Sequence, residues 1–215
     1  AVDCAGRRAD SREAVVIAAL ASLTRQCWLF AVGSTLFALA TAPGFPAWAG
    51  AGTATLLCFA GSWFFTTAAW MQLVLSERTK RFEWYSAAVQ FAGTLLFNVS
   101  TGAAVWAHAV NEERRYVWVP DVTGSVFFLV SGALAMMAVT AVTGLLELRS
   151  RDWLAGAVNL IGCVAFGVSA VAAFIRTNGV TEDEVLANLG TFVGALCFLT
   201  ASLLELPRTE SAGRG

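Results

Sequence analysis

Charge is what this sequence has least of. Only 13% of its 215 residues are Asp, Glu, Lys or Arg, against about 25% in an ordinary soluble domain. The net charge of −1 excludes the basic face, or the pI above about 9, that a nucleic-acid footprint needs. A single histidine, His108, is too little for a metal site. The five cysteines, Cys4, Cys27, Cys58, Cys163 and Cys197, stand without CxxC or metal-ligand spacing, so those in apolar sequence read as small buried hydrophobes. Cys4 follows no apolar run that could form a lipoprotein or secretory signal and reads as an ordinary free thiol. The first residue is Ala rather than Met, so the chain is expected to be trimmed relative to its gene product. A Gly-rich phosphate loop, HExxH, paired catalytic carboxylates and a Ser-His-Asp set are all lacking, so no catalytic residue, metal or cofactor is expected.

What the sequence has instead is apolar length. Hydrophobic residues make up 57% of the chain and mean hydropathy is +0.66. They fall into six blocks nearly free of charge: Gln26 to Ala42, Ala49 to Ser76, Ser86 to His108, Val122 to Leu148, Trp153 to Ile175 and Val185 to Leu206. A helix needs about 20 residues to cross a hydrocarbon core of roughly 30 Å. Barrel strands would alternate apolar and polar over roughly ten residues, and none of these blocks does. The expected fold is therefore all-α, a polytopic bundle of six transmembrane helices. A cytoplasmic segment precedes it at residues 1–25 and a flexible tail follows at 207–215. Within the first segment, Ser11 to Thr24 reads as a helix that either lies along the leaflet or lengthens the first crossing inward.

Alternating the loops between two sides places Arg7, Arg8, Arg12, Arg25, Arg78, Lys80, Arg81, Arg149, Arg151, Arg208 and Arg214 on one side. The other side holds only Arg114, Arg115 and Arg176, which is 11 cations against 3. The positive-inside rule puts the crowded side, with both termini, in the cytoplasm of a cell expected to carry the chain in its plasma membrane. Trp84, Trp106, Trp118 and Trp153 lie near helix ends, where indole rings favour the headgroup layer. Trp63 and Trp70, seven residues apart within one block, are expected to pack.

The odd-numbered blocks share a local pattern: Gly33-Ser34-Thr35-Leu36-Phe37, Gly93-Thr94-Leu95-Leu96-Phe97 and Gly162-Cys163-Val164-Ala165-Phe166. The third and fifth match further, through Ala88-Val89-Gln90 with Ala157-Val158-Asn159 and Val99-Ser100 with Val168-Ser169. Three repeated helical hairpins follow as the expected plan. In the even blocks the register is ambiguous: Gly61-Ser62 with Phe64-Phe65 resembles Gly124-Ser125 with Phe127-Phe128, and Gly194 to Leu206 aligns with Gly61 to Leu73. Gly33, Gly93 and Gly162 at one level would let helices approach closely. Gly190 and Gly194 form a GxxxG usable within the bundle or between two copies.

A two-helix unit with Gly-Ser-x-Phe-Phe, at Gly124 to Phe128, and a closing Leu-Leu-Glu-Leu, within Gly190 to Leu206, resembles the YrhK-like domain. That is a short bacterial module of two membrane helices with no established activity. Trp63 to Thr101 is similar to uncharacterised actinobacterial integral membrane proteins. The resemblance implies membrane helices and brings no catalytic residues.

A charge buried in lipid is by default a functional candidate, and the blocks offer almost none. Glu147 and Glu205 stand at cytoplasmic ends beside Arg149 and Arg208 and read as interface anchors. His108, at the outer end of the third block, reads as solvated. The remaining candidates are neutral: Gln72, Gln90, Asn98 and Asn159, with Thr94 and Thr101 continuing a seam along the third helix. Such a seam either bonds helix to helix, at about 0.6 kcal/mol per hydrogen bond, or lines a polar cavity. The expected function is a structural or interaction component of the cell envelope, partnered by the bilayer and by a second copy or another membrane protein. The alternative is a small transporter or channel with a neutral path along Gln72, Gln90, Asn98 and Asn159. A lipid-modifying enzyme or lipid binder is a third class, and it has too few reactive side chains to argue a reaction. The direction of the four amides decides between the first two.

Overall fold

The computed structural model describes the backbone of residues 2–207 apart from 108, and side-chain surroundings from residue 22 onward. His108, the tail cations Arg208 and Arg214, and the side chains of Cys4, Arg7, Arg8 and Arg12 lie outside the described residues. Among the described residues eight α-helices follow in order: α1 (Val2–Thr41), α2 (Phe45–Ala49), α3 (Ala51–Leu75), α4 (Arg81–Ala103), α5 (Val110–Glu112), α6 (Val119–Thr143), α7 (Arg151–Ala172) and α8 (Glu184–Glu205). A π-helical turn, Glu113–Trp118, joins α5 to α6. Pro120 explains that turn, because proline has no N–H and its ring opposes the carbonyl four residues earlier, so the wider register upstream accommodates it. Among the described residues there is no strand, only the isolated bridge between Ile175 and Thr181.

Among the described residues four helices are long and apolar enough to cross a membrane: Ala51–Leu75, Val110–Thr143, Arg151–Ala172 and Glu184–Glu205. The long helices α1 and α4 are not among the four; α4 carries Arg81 and Glu83 in its first turn and Gln90 and Asn98 further along. α1 runs without a break from Val2 through the first apolar block. The six long helices close into a ring, α1 beside α3, then α4, α6, α7 and α8, which returns to α1.

Turn chemistry sets the corners. Gly44, Gly50 and Gly144 take φ of 85°, 88° and 98°, a left-handed backbone that a side chain would strain, so α2 is a short step between two glycines and α6 stops at Gly144, ahead of the still apolar Leu145 and Leu146. Ser150 caps α7 by accepting from the Trp153 amide at 3.3 Å, and Asp183 caps α8 by accepting from Leu186 at 2.9 Å.

One interlock recurs in all three hairpins. A Cβ built on Gly33 would meet the Phe65 ring at 2.7 Å, and one on Gly61 would meet the Phe37 ring at 3.0 Å. Gly93 and Gly124 face Phe128 and Phe97 in the same way, as Gly162 and Gly194 face Phe198 and Phe166. Each glycine therefore opens a slot for the phenylalanine that stands four residues beyond the opposing glycine. The six rings converge at the centre: Phe97 stacks on Phe128 at 4.9 Å and Phe166 on Phe198 at 5.2 Å, while edge contacts join Phe37 to Phe166 and Phe128 to Phe198. Gly190 is also spent inside the bundle, its Cβ position lying 2.8 Å from that of Ser169.

Trp63 and Trp70 pack on one side only: Trp63 meets the Phe59 ring edge-on at 6.3 Å, and Trp70 meets Phe91 of α4 at 5.4 Å. Both are more than half exposed, on the outside of α3. On a helix suited to lipid, an outward indole meets an apolar solvent and needs no protein pocket.

Candidate functional site

The end of the bundle that holds the α3–α4 loop, the α6–α7 loop and the end of α8 is splayed, and it encloses a cavity of about 550 Å³. Every long helix contributes to its wall. Phe30, Phe65 and Phe198 form the base. Gln72 of α3, Gln90 of α4 and Asn159 of α7 line it above the rings, with hydroxyls from Ser76, Ser86, Thr143 and Ser202. Lys80, Glu83, Asp152 and Glu205 surround the mouth. The splay follows from side-chain size and partner choice. Small residues such as Ala201, Ala135 and Gly156 stand on the inner faces here, leaving volume that large residues would fill.

Beyond the rings the helices close. A void of about 10 Å³ lies between Phe37, Phe97, Phe166 and the Ser62 and Thr94 side chains, roughly the least that can hold one water. Hydroxyls knit this half together. Thr101 donates to the Ser62 hydroxyl at 3.1 Å, Ser169 donates to the Ala187 carbonyl at 2.6 Å and pairs with Thr191, and the Trp118 indole donates to the Ala170 carbonyl at 2.9 Å. The cavity is thus a blind vestibule ending on an aromatic layer.

The structure divides the residues singled out in the sequence. Gln72, Gln90 and Asn159 meet in the vestibule, drawn from three different helices. Gln90 Oε1 accepts from the Ser131 hydroxyl at 3.3 Å, Asn159 leans on Cys163, and Gln72 Oε1 is buried without a hydrogen-bond partner. Asn98 does not join them. It sits in the closed half, and its Oδ1 also lacks a partner. Thr94 is fully buried and donates to its own Phe91 carbonyl at 2.7 Å, and Thr101 turns toward α3. The seam along α4 therefore crosses the aromatic layer, with its first member in the cavity and the rest in packing.

The tryptophans take different roles. Trp106 is exposed beside Tyr116, and Trp84 packs on Tyr85 under the Arg78 guanidinium. Trp118 is tied into the bundle through Ala170 and Phe174, and Trp153 donates to the Leu145 carbonyl at 3.2 Å.

Asp152 and Ser86 are site residues that the sequence reading passed over. The available signal was spacing. Asp152 precedes Asn159 by seven residues on one face of α7, and Ser202 precedes Glu205 by three on α8. Ser86 pairs with Ser131 through reciprocal hydroxyl-to-carbonyl bonds of 2.9 Å, which brace α4 against α6 at the cavity wall. Glu205, read as an interface anchor, lines the cavity. No group of His, Cys, Asp and Glu among the described residues could hold a metal ion. No protein-family model, no curated protein and no solved structure matches this chain.

Proposed function

We propose that this chain is a multi-pass protein of the plasma membrane that binds a small polar solute in the vestibule, as the inner half of a carrier pathway. All six long helices cross the bilayer in this reading, as three hairpins of one repeated design, with both termini and the vestibule mouth on the cytoplasmic side. The excess of cations at that end, 11 against 3, supports the orientation. The observation that carries the function is the convergence of amides from α3, α4 and α7 on one cavity of about 550 Å³, a size within the roughly 300–1,000 Å³ of small-molecule sites. Helix-to-helix bonding alone would have closed those amides in pairs.

A structural or interaction role is the second reading, and the aromatic layer favours it. Six interlocked rings make a rigid partition through the bundle.

Single-cysteine variants in a background with the native cysteines replaced by alanine test the proposal. In inverted membrane vesicles, Gln90→Cys and Asn159→Cys react with a membrane-impermeant maleimide. Thr94→Cys, beyond the rings, stays unmodified. Unreactive cysteines at both 90 and 159 would overturn the vestibule reading and leave the structural one.

A further inference from the structure

We infer that the seam between α3 and α4 is the outer gate of the pathway, latched by Thr101 and Ser62 and opening onto Asn98, an inference that rests on the carrier role proposed above.

The helices are not all tied in one way. Within the hairpins, α3 is locked to α1, α6 to α4 and α8 to α7 by the reciprocal glycine and phenylalanine contacts. Hydroxyl bonds reinforce two of them: Ser86 and Ser131 donate to each other's carbonyls, and Ser169 donates to the Ala187 carbonyl. The joint between α6 and α7 is held alike, with Trp118 donating to the Ala170 carbonyl and Arg114 to the Ile175 carbonyl. Each of these donors gives its hydrogen across the joint, so parting the helices would strand it.

The joint between α3 and α4 differs. Among the described residues one side-chain hydrogen bond crosses it, from the Thr101 hydroxyl to the Ser62 hydroxyl at 3.1 Å. Both hydroxyls also have an acceptor on their own helix, Thr101 the Phe97 carbonyl at 2.7 Å and Ser62 the Phe59 carbonyl at 2.7 Å. The contact can therefore release without leaving either proton unbonded.

What the latch holds shut is polar. Asn98 stands three residues before Thr101 and one turn before Gly102, whose Cβ position meets the Phe59 ring of α3 at 3.2 Å, so it lies along the same seam. Its Oδ1 is buried without a hydrogen-bond partner among the described residues. A buried amide oxygen with no donor destabilises the closed seam, and water satisfies it once the seam parts.

Connectivity sets the pivot. At the vestibule end α3 and α4 are joined directly, through Ser76 to Lys80, and Trp70 meets Phe91 on that side at 5.4 Å. At the outer end α3 starts from Gly50 and α4 runs on toward α5, so no link holds the two together there. Phe65 and Phe97 ride on the helices that part, so the motion carries two rings of the aromatic layer with it.

Impermeant maleimide labelling of right-side-out vesicles, in the same cysteine-free background, tests the gate. Asn98→Cys is expected to react from the outer side. Thr101→Val should speed that reaction about threefold, the factor that corresponds to the loss of a hydroxyl bond of about 0.6 kcal/mol between membrane helices. Ser169→Ala, which removes a hydroxyl bond inside a hairpin of the same outer half, should leave the rate unchanged. Ala195→Cys, fully buried on α8, should stay unlabelled in every background. An inert Asn98→Cys, or one whose rate ignores Thr101→Val, overturns the gate while Gln90→Cys, reactive from the inner side, keeps the vestibule. Equal acceleration by Ser169→Ala, or labelling of Ala195→Cys, also overturns it, because the opening would not be confined to the seam. Unreactive cysteines at 90 and 159 remove the carrier reading itself, and the gate with it.

Discussion

Gly194→Ala is the sharpest test of the interlock. The added methyl would clash with two carbons of the Phe166 ring, the farther of them at 2.8 Å, and sit 3.1 Å from the Gly162 carbonyl oxygen, where ordinary contacts are 3.4–4 Å. The ring must therefore retreat by about 1 Å, since a van der Waals pair of carbons rests near 3.5–4.0 Å. It has little freedom to do so. Phe166 is stacked on Phe198 at 12° between planes and meets Phe37, Phe97 and Phe128 edge-on, so its displacement moves the whole aromatic layer. Overpacking of this kind costs about 1–3 kcal/mol, and replacing glycine by alanine within a helix returns up to about 1 kcal/mol. The net expectation is a loss of about 1–2 kcal/mol, measured by reversible unfolding in mixed micelles. Gly52→Ala is the control, because nothing lies within 4 Å of that position; it should be neutral or stabilising. Combining Gly194→Ala with Phe166→Leu should recover part of the loss, a coupling that reports direct contact. If Gly194→Ala stabilises as Gly52→Ala does, the interlock is not what holds α7 to α8.

The hydroxyl pair across the cavity wall predicts a smaller effect. Ser86→Ala should cost about 0.6 kcal/mol and no more than about 1.7, and Ser131→Ala should add little once Ser86 is gone, read in the same unfolding assay. Phe166→Ala should be far more damaging, about 3–5 kcal/mol, because it empties the centre of the ring; a loss under 1 kcal/mol would deny the layer its structural role. In the α7–α8 loop, the Arg176 guanidinium bonds Glu182 and holds its carboxyl below the ordinary value of 4.5, while Arg176 itself is raised. A lowered carboxyl contributes order that is present above its unfolded pKa and disappears as pH falls through the folded one. Carboxyl NMR should therefore show Glu182 titrating below 4.5, moving upward in Arg176→Gln; no movement would show that the pair does not form in solution. Trp118→Phe removes the indole bond to the Ala170 carbonyl, leaving that acceptor open, and should raise amide exchange at the end of α7 without altering labelling of Gln90→Cys.

Much of this protein is written locally. The scarcity of charge and the length of the apolar blocks determine that the chain is helical and suited to lipid, since backbone groups in such runs can be satisfied only within each segment. Glycine spacing marked Gly33, Gly93 and Gly162 as one level. Boundaries were less legible. α4 begins at Arg81 and ends at Ala103, five residues earlier at each end than its apolar block, because the amphipathic first turn folds as helix although it is charged.

The pairing was beyond the sequence. A glycine four residues before a phenylalanine is common in apolar helices, and only the tertiary arrangement decided that each ring enters the slot of the opposing glycine, a contact between residues some 30 positions apart. The same holds for the candidate site. Gln90, Thr94, Asn98 and Thr101 share one helix and look like one seam, yet the aromatic layer cuts between Gln90 and Thr94. The amides that do meet come from α3, α4 and α7, joined by Asp152 and Glu205 at the mouth. Composition and period along the chain determined what each helix is; which of its polar groups face water depends on where neighbouring helices splay and where they touch, and that is a property of the ring they close.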